Sequence, residues 1–423
     1  QIANLSLSKI SAFSVSVYFI FLFNYLGLPI LYFGLDSYRS VNIDSLEYIF
    51  LSWIFVVIGL ILMLLGAFLV SLVLDKFLPS SNSHEHYSFN NSIYKFPLIR
   101  AFFFLVAIYT LYLYISKLGI ENIAIIALYN SLGGESVNVA RSEMVNAFDG
   151  NYHWYKFFMR DILFLISISF FLDWIISKKR QFLQFFAISS VILLFVLIMT
   201  TEKMPMLEYF VSLILAYMMI KHNKKIQFKA SLAWGLLLMI FVFITYFFLM
   251  NDQSYDYLLT ISGSLSRIFT GALEAFYYQI EFYYDNKILH GTGLPNPGGI
   301  FSFEPFPVTQ YIWYLEHGDI SGASGSMPAI FIAEGLINFG IAGLILFSLI
   351  AGILLRCSDL IFDDIGNTAS LCAVYTVLIM HLKNLSISSL SNYFFDPFLL
   401  ILIILLYLIK YFYKSDNNLI REN

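Results

Sequence analysis

The sequence predicts an all-α fold: a polytopic transmembrane helix bundle of about ten spans, with a large outward-facing loop that contains amphipathic helices. Three observations predict it. Apolar residues make up 59% of the 423-residue chain and charged residues only 12%, against about 25% charged in a soluble domain. Mean hydropathy is +0.76, so the chain carries more apolar surface than a soluble fold can hide. Apolar stretches of about 20 residues, enough to cross a hydrocarbon core, recur along its whole length. Strands of this length would leave unpaired edges in lipid, so the spans are helices.

Residues 1–423 read as a single integral membrane domain with no soluble domain appended and no internal repeat. In order, the spans fall at 11–33, 48–74, 98–118, 155–176, 182–200, 204–220, 229–250, 327–355, 369–387 and 394–413. The first run is long enough to cross, and no small-residue cleavage site follows it, so it reads as a span and not a signal peptide. Gln1 in place of Met leaves room for a preceding segment.

Lysine and arginine in short loops set the orientation. The loops Ser177-Lys178-Lys179-Arg180 and Lys221-His222-Asn223-Lys224-Lys225 belong in the cytoplasm. Alternation then puts 75–97, 356–368 and both termini inside, and 34–47, a first outer loop 119–154, 201–203 and a large outer loop 251–326 outside. Within 251–326, Asp252, Asp256, Glu274, Glu281, Asp285, Glu304, Glu316 and Asp319 stand against only Arg267 and Lys287. A net charge of −4 gives no reason to expect nucleic acid as a partner. Cys357 and Cys372 fall on an inner loop and within a helix, with neither disulfide nor metal-ligand spacing.

The outer segments carry the candidate chemistry. Residues 119–154 hold an apolar run, Ile120 to Leu128, and then the turn-rich Asn130-Ser131-Leu132-Gly133-Gly134. In the large loop, Leu258, Ile261, Leu265, Ile268, Ala272, Phe276 and Ile280 recur at helical spacing, with Arg267, Glu274 and Glu281 on the flanking stripe. That pattern predicts a helical lid, lying on the membrane surface or packed across the mouth of the bundle. Arg141, Lys203 and Arg267 stand near helix ends on a cation-poor face, where together they can bind pyrophosphate. The plainer reading pairs each with a local acid, Glu143, Glu202 or Glu274.

His290 to Gly299 is turn chemistry and lacks the lysine of a P-loop. Beyond it lie Glu304 and His317, and the aromatics Phe301, Phe303, Phe306 and Tyr311, which can stack on sugar faces or simply belong to an aromatic belt. His317 is a candidate general base, since histidine titrates near neutral pH; the plainer reading is a solvated loop histidine. Glu334 lies about 10 Å inside its span at 1.5 Å per residue. An acid at that depth normally faces the bundle interior with a partner, and Arg141 or Arg267 is the natural one. Asp363-Asp364, alone on the inner side, reads as a solvated loop pair, and no DxD motif stands in the outer loops.

This layout resembles the Wzy-type oligosaccharide repeat-unit polymerases, the O-antigen polymerases of the membrane-embedded glycosyltransferase class. The resemblance covers nearly the whole chain in topology. It is clearest in Ser326-Met327-Pro328-Ala329-Ile330-Phe331-Ile332-Ala333-Glu334-Gly335-Leu336-Ile337-Asn338-Phe339-Gly340, where a small-residue turn enters a helix that carries a glutamate and then Phe-Gly. Arg141 before the fourth span, Lys203 in the tight hairpin and Arg267 early in the large loop complete the pattern; lysine in the hairpin gives up the bidentate fork. The resemblance implies a bacterial inner-membrane enzyme that works on the periplasmic side. One undecaprenyl-pyrophosphate-linked glycan would be the donor, and a hydroxyl at the non-reducing end of a second would attack it. No cofactor or metal is implied, because positioning and charge neutralisation suffice for a good leaving group. Arg141, Lys203 and Arg267 would bind pyrophosphate, Glu334 would orient an arginine, and His317 or Glu304 would assist deprotonation. Membrane lipids and a chain-length regulator protein are the other implied partners. Two alternatives remain open: an O-antigen ligase that joins glycan to lipid A core, and a lipid-linked oligosaccharide flippase. A flippase should show polar or broken helices near the midplane, and the spans read as almost wholly apolar there.

Overall fold

The chain was analysed as a computed structural model, which describes residues 6–36, 39–40, 43–74, 97–126, 144, 148, 152–201, 204–222, 224–227, 233–240, 262–263, 265–266, 268–286, 288–318, 325–328, 330–365 and 369–421. Among them every element is helical apart from one isolated bridge, Lys9 to Lys225. Helix α1 (Ala12–Ile20) passes through a π-helical turn (Phe21–Tyr25) into α2 (Gly27–Tyr32). Then come α3 (Leu46–Leu74), α4 (Pro97–Leu118), α5 (Tyr152–Lys156), a second π turn (Phe157–Ile162) and α6 (Leu163–Ser177). Helices α7 (Arg180–Met199), α8 (Met204–Lys221), α9 (Gly271–Asp285) and α10 (Val308–His317) follow. The chain closes with α11 (Phe331–Ile365), α12 (Ala369–Leu382), the short α13 (Ser391–Phe394) and α14 (Pro397–Arg421).

Seven helical stretches among the described residues are long and apolar enough to cross a membrane: Ala12–Tyr32, Leu46–Leu74, Ile99–Leu118, Arg180–Met199, Met204–Lys221, Phe331–Phe362 and Ala369–Ser386. The protein is therefore a multi-pass membrane protein, an all-α bundle. Two more helices stand where spans are predicted. The helix at 152–177 is interrupted by its π turn, and α14 runs from Pro397 to Arg421. Of the predicted span 229–250, residues 233–240 are described and helical.

One end of the bundle is basic. There Ile10 N–H donates to the Lys224 carbonyl at 2.7 Å, and Lys224 lies over the Phe362 ring. Asp359 of α11 accepts from the Ala12 amide at 2.7 Å and from the Phe13 amide at 3.3 Å, adding to the Ser11 side chain, which caps the Ser14 amide, at the start of α1. The N-terminal segment, the loop after α8 and the end of α11 thus meet, as the charge pattern groups them. Helix continues to Ile365, so Asp363-Asp364 belongs to the last turn of α11 and not to a loop.

The opposite, loop-rich end gathers residues 33–36, 39–40 and 43–45, α9, α10 and the turns at 288–307. Helix α9 is not a surface lid. Leu273 through Ile280 are all buried, so it is packed across the bundle mouth, the second of the two predicted placements. Its stripe of acids is covered because the segment before α3 folds over it. Arg39 pairs with Glu274 and donates to the Ser266 hydroxyl at 3.1 Å, and the Ser45 amide donates to the Tyr277 hydroxyl at 3.1 Å. Glu274, paired in the plainer sequence reading with Arg267, has Arg39 as its described partner.

The central correction concerns α11. Gly340, at φ 64° and ψ −151°, breaks it. In a straight helix residues 335 and 343 would stand about 12 Å apart, yet a Cβ on Gly335 would lie 2.5 Å from the Gly343 carbonyl oxygen. A Cβ on Gly59 of α3 would meet both Ile332, at 2.3 Å, and the Ser348 hydroxyl, at 3.4 Å. The chain therefore descends into the bundle before Phe331, climbs as a short helix to Gly340, and turns back as the long helix that runs to Ile365. Residues 331–338 are buried on every face, as suits a re-entrant helix enclosed by its neighbours, whereas 341–350 alternates buried and exposed with helical period. The returning limb packs along α3 at backbone contact: a Cβ on Gly352 would fall 2.0 Å from the Met63 carbonyl oxygen.

Candidate functional site

The sites named from the sequence fare unequally. Arg141, Lys203 and Arg267 lie outside the described residues, as does the side chain of His317, which closes α10. Glu304 is exposed, on a turn braced by Asn296, whose side-chain amide donates to the Phe301 and Phe303 carbonyls at 2.9 and 2.7 Å. Phe301 stacks on Phe303 and is half exposed, while Phe306 is packed between Phe282 and Tyr311. Burial and the facing carboxylates Glu316, Asp285 and Asp44 hold the Glu281 carboxyl above its usual range.

Glu334 is buried on the re-entrant limb, about 9 Å below the Gly340 turn at 1.5 Å per residue. Its described partners are not arginines. The Ser391 hydroxyl donates to one carboxylate oxygen and the Ser391 amide to the other at 3.1 Å, with the Leu390 amide and the Ser389 hydroxyl also turned toward it. Dipoles from an irregular turn satisfy this carboxylate, an arrangement that fixes the turn to the re-entrant helix.

That turn leads to a polar centre that the sequence reading missed. After α12 the backbone tightens into a 3-10 turn (Lys383–Ser386), folds over, and returns through α13 to Asp396. Lys383 is 1% exposed; its ammonium donates to Glu208 and to Asn384, each at 2.7 Å, and lies over the Phe19 ring. Phe19 is seven residues along α1 from Ala12, so Lys383 stands about 10 Å from the basic end, near the middle of the bundle. Two residues earlier, His381 donates from Nε2 to Asp396, whose second oxygen accepts from the Phe398 amide at 2.8 Å. Tyr393 links the two pairs: its hydroxyl donates to the His381 carbonyl at 3.0 Å, and its ring lies in the fields of Asp396 and Glu208. Asp161, on the π turn before α6, interacts with Arg160 and Lys156 beside it and with His381 and Asp396 across the gap. Asn24, on the other π turn, donates to the Ser386 carbonyl at 2.6 Å, while its own side-chain oxygen and the Ser386 hydroxyl are buried without a hydrogen-bond partner among the described residues.

Glu208 and His381 come from the regular helices α8 and α12, whereas Asn24, Asp161, Lys383 and Asp396 come from irregular backbone: two π turns, a 3-10 turn and the 387–396 excursion. Such backbone survives at membrane depth only when enclosed in protein or lining an aqueous cavity, and π turns cluster at functional sites. The signal was available. Glu208, His381, Lys383, Arg160, Asp161 and Asp396 all lie within predicted spans, and the cost of charge in lipid that singles out Glu334 applies equally to them. The loop-rich side is also less poor in cations than the sequence reading has it, since Arg39, Lys156 and Arg160 stand there.

The chain matches no family model, no curated protein and no solved structure.

Proposed function

We propose that the protein polymerises polyprenyl-pyrophosphate-linked oligosaccharide repeat units, with the loop-rich end facing the outside of a bacterial inner membrane. The observation that carries this reading is the polar centre itself: paired charges collected where helices break, beneath a mouth closed by α9 and flanked by aromatic turns. A glycosyl transfer between two lipid-linked substrates needs groups held at headgroup depth and below, positioned in advance and shielded from bulk water. Arg141, Lys203 and Arg267 remain the proposed pyrophosphate ligands, with Arg160 and Lys156 as further cations beside the centre. Glu334 acts by holding the 389–391 turn in place. His317 and Glu304 remain candidates for proton transfer from the loop. In this reading both termini are cytoplasmic and a chain-length regulator can dock on the bundle. The test is extension of a purified lipid-linked repeat by the protein alone in nanodiscs. Arg267→Ala should abolish long products while single repeats persist; a normal ladder from that variant removes Arg267 from the site.

A second reading, a lipid-linked oligosaccharide flippase, gains support from a specific observation. The interior is not wholly apolar: Lys383, Asn24 and Ser386 are buried deep in the bundle, and broken helices with buried ion pairs are what transporters carry. Translocation of a labelled lipid-linked repeat across proteoliposomes, without extension, would favour it over polymerisation. A ligase is told apart by deletion, which would leave no surface glycan, whereas loss of a polymerase leaves single repeats.

A further inference from the structure

We infer that His381, oriented by Asp396, is the base that takes the proton from the acceptor hydroxyl, a role that rests on the polymerase reading and replaces the loop candidates His317 and Glu304. The argument begins with the geometry of the pair. Asp396 accepts from Nε2, which fixes the imidazole tautomer and ring plane and leaves the Nδ1 lone pair available. Among the described residues nothing hydrogen-bonds Nδ1. Asp396 is itself held by the Phe398 amide at 2.8 Å, so the nucleophile's base and the group that orients it are both fixed. The two side chains are 23% and 16% exposed, enclosed but reachable, in contrast to Lys383 at 1%.

The surroundings fit a sugar next to a pyrophosphate. Tyr393 and Phe398 set their ring edges against the imidazole, at 5.4 and 5.3 Å between centroids. Asp161, on the π turn before α6, feels both the His381 imidazole and the cations Arg160 and Lys156. Tyr393 lies beside the pair, and Glu208 of the neighbouring pair also acts on it. Exposed Phe394 and Phe395 directly precede Asp396, and exposed Trp154 packs on Phe157, which itself packs on Phe398; these rings offer flat faces for a sugar or for an isoprenoid chain. In the transfer, the acceptor hydroxyl oxygen bonds to the anomeric carbon of the donor, and the bond from that carbon to the pyrophosphate oxygen breaks. The electron pair leaves with the lipid pyrophosphate, which Arg160 and Lys156 help to neutralise. The proton passes to His381 Nδ1 and from there to water.

The test uses the full chain in nanodiscs with a purified lipid-linked repeat, comparing wild type with His381→Gln, His317→Gln, Glu304→Gln and Asp396→Asn. Removing a general base costs about 10²- to 10⁴-fold in rate. His381→Gln should lose that in kcat with KM little changed and should flatten the acid limb of the pH–rate profile, whereas the two loop variants should keep it. Asp396→Asn retains shape and packing and should lower kcat by a smaller factor, because the wrong tautomer is then favoured. Melting temperatures close to wild type show that these losses are chemical. If His381→Gln extends chains within about threefold of wild type with the same pH profile, the base assignment falls and the polymerase reading stands. A loss that follows His317→Gln or Glu304→Gln instead moves the base to the loop and overturns it equally. If wild type itself makes no polymer, the polymerase reading fails and the role of His381 fails with it.

Discussion

The two ends of the bundle use charge in opposite ways. At the basic end, charged side chains complete regular helices: Asp359 caps α1 and accepts from the Tyr375 hydroxyl at 2.6 Å, Arg356 donates to Ser71 at 2.7 Å, and Arg100 joins α4 to Asp173 and Ser169 of α6. Each such group is a peg between straight rods. Toward the loop-rich end, the pairs His381–Asp396, Lys383–Glu208 and Glu334–Ser391 occupy places where the rods are bent, tightened or turned back. Charge that pins regular helices supports the scaffold. Charge held in irregular backbone leaves polar groups in reach of a ligand, and that is where chemistry is to be sought.

Substitutions can break this contrast, and the largest effect should come from Glu208→Ala. It leaves the Lys383 ammonium buried without its carboxylate, a change worth about 3–5 kcal/mol. Combining it with Lys383→Met should recover most of the loss. Thermal melting in detergent checks both; a Glu208→Ala protein that melts with wild type would show that Lys383 is hydrated or otherwise paired. Next in size is Gly340→Ala, which forces a side chain into a backbone region nearly reserved for glycine and should cost about 1–3 kcal/mol. It should also raise protease sensitivity around residues 325–345; unchanged cleavage would argue for a straight α11. At the basic end, Asp359→Ala should lower stability by about 1–2 kcal/mol through the lost cap while activity per folded molecule stays at wild type. An activity loss larger than the stability loss would erase the distinction between the two ends.

The smallest effect concerns Glu281, whose carboxyl is held above the usual glutamate range by burial and by Glu316, Asp285 and Asp44. The folded state therefore binds the proton more tightly than the unfolded chain does. Stability is highest below the ordinary glutamate value and falls as pH rises through the raised one. Glu281→Gln should flatten that slope in melting curves taken across weakly acidic pH; identical slopes would place the dependence on another group.

Hydropathy made the bundle legible, because whether a stretch can cross lipid is decided by its own residues. The predicted span at 48–74 and the helix Leu46–Leu74 differ only at one edge. The Gly340 break was hidden for the same reason: from Phe331 to Ile350 the only charged residue is Glu334, so a hairpin and a straight span read alike. The periodic pattern of α9 correctly announces a helix, but not that Arg39, more than two hundred residues earlier, would pair with Glu274. The same distance problem hid the polar centre, where Lys383 meets Glu208 across 175 positions of sequence. Charges inside a span could still have been flagged one by one, without knowing their partners.

The Gly340 hairpin also bears on the lipid around the protein. Its short limb, Phe331 to Phe339, covers about 14 Å at 1.5 Å per residue, roughly half of an ordinary hydrocarbon core. A limb of that length crosses nothing by itself, so protein neighbours and not acyl chains must supply its surroundings.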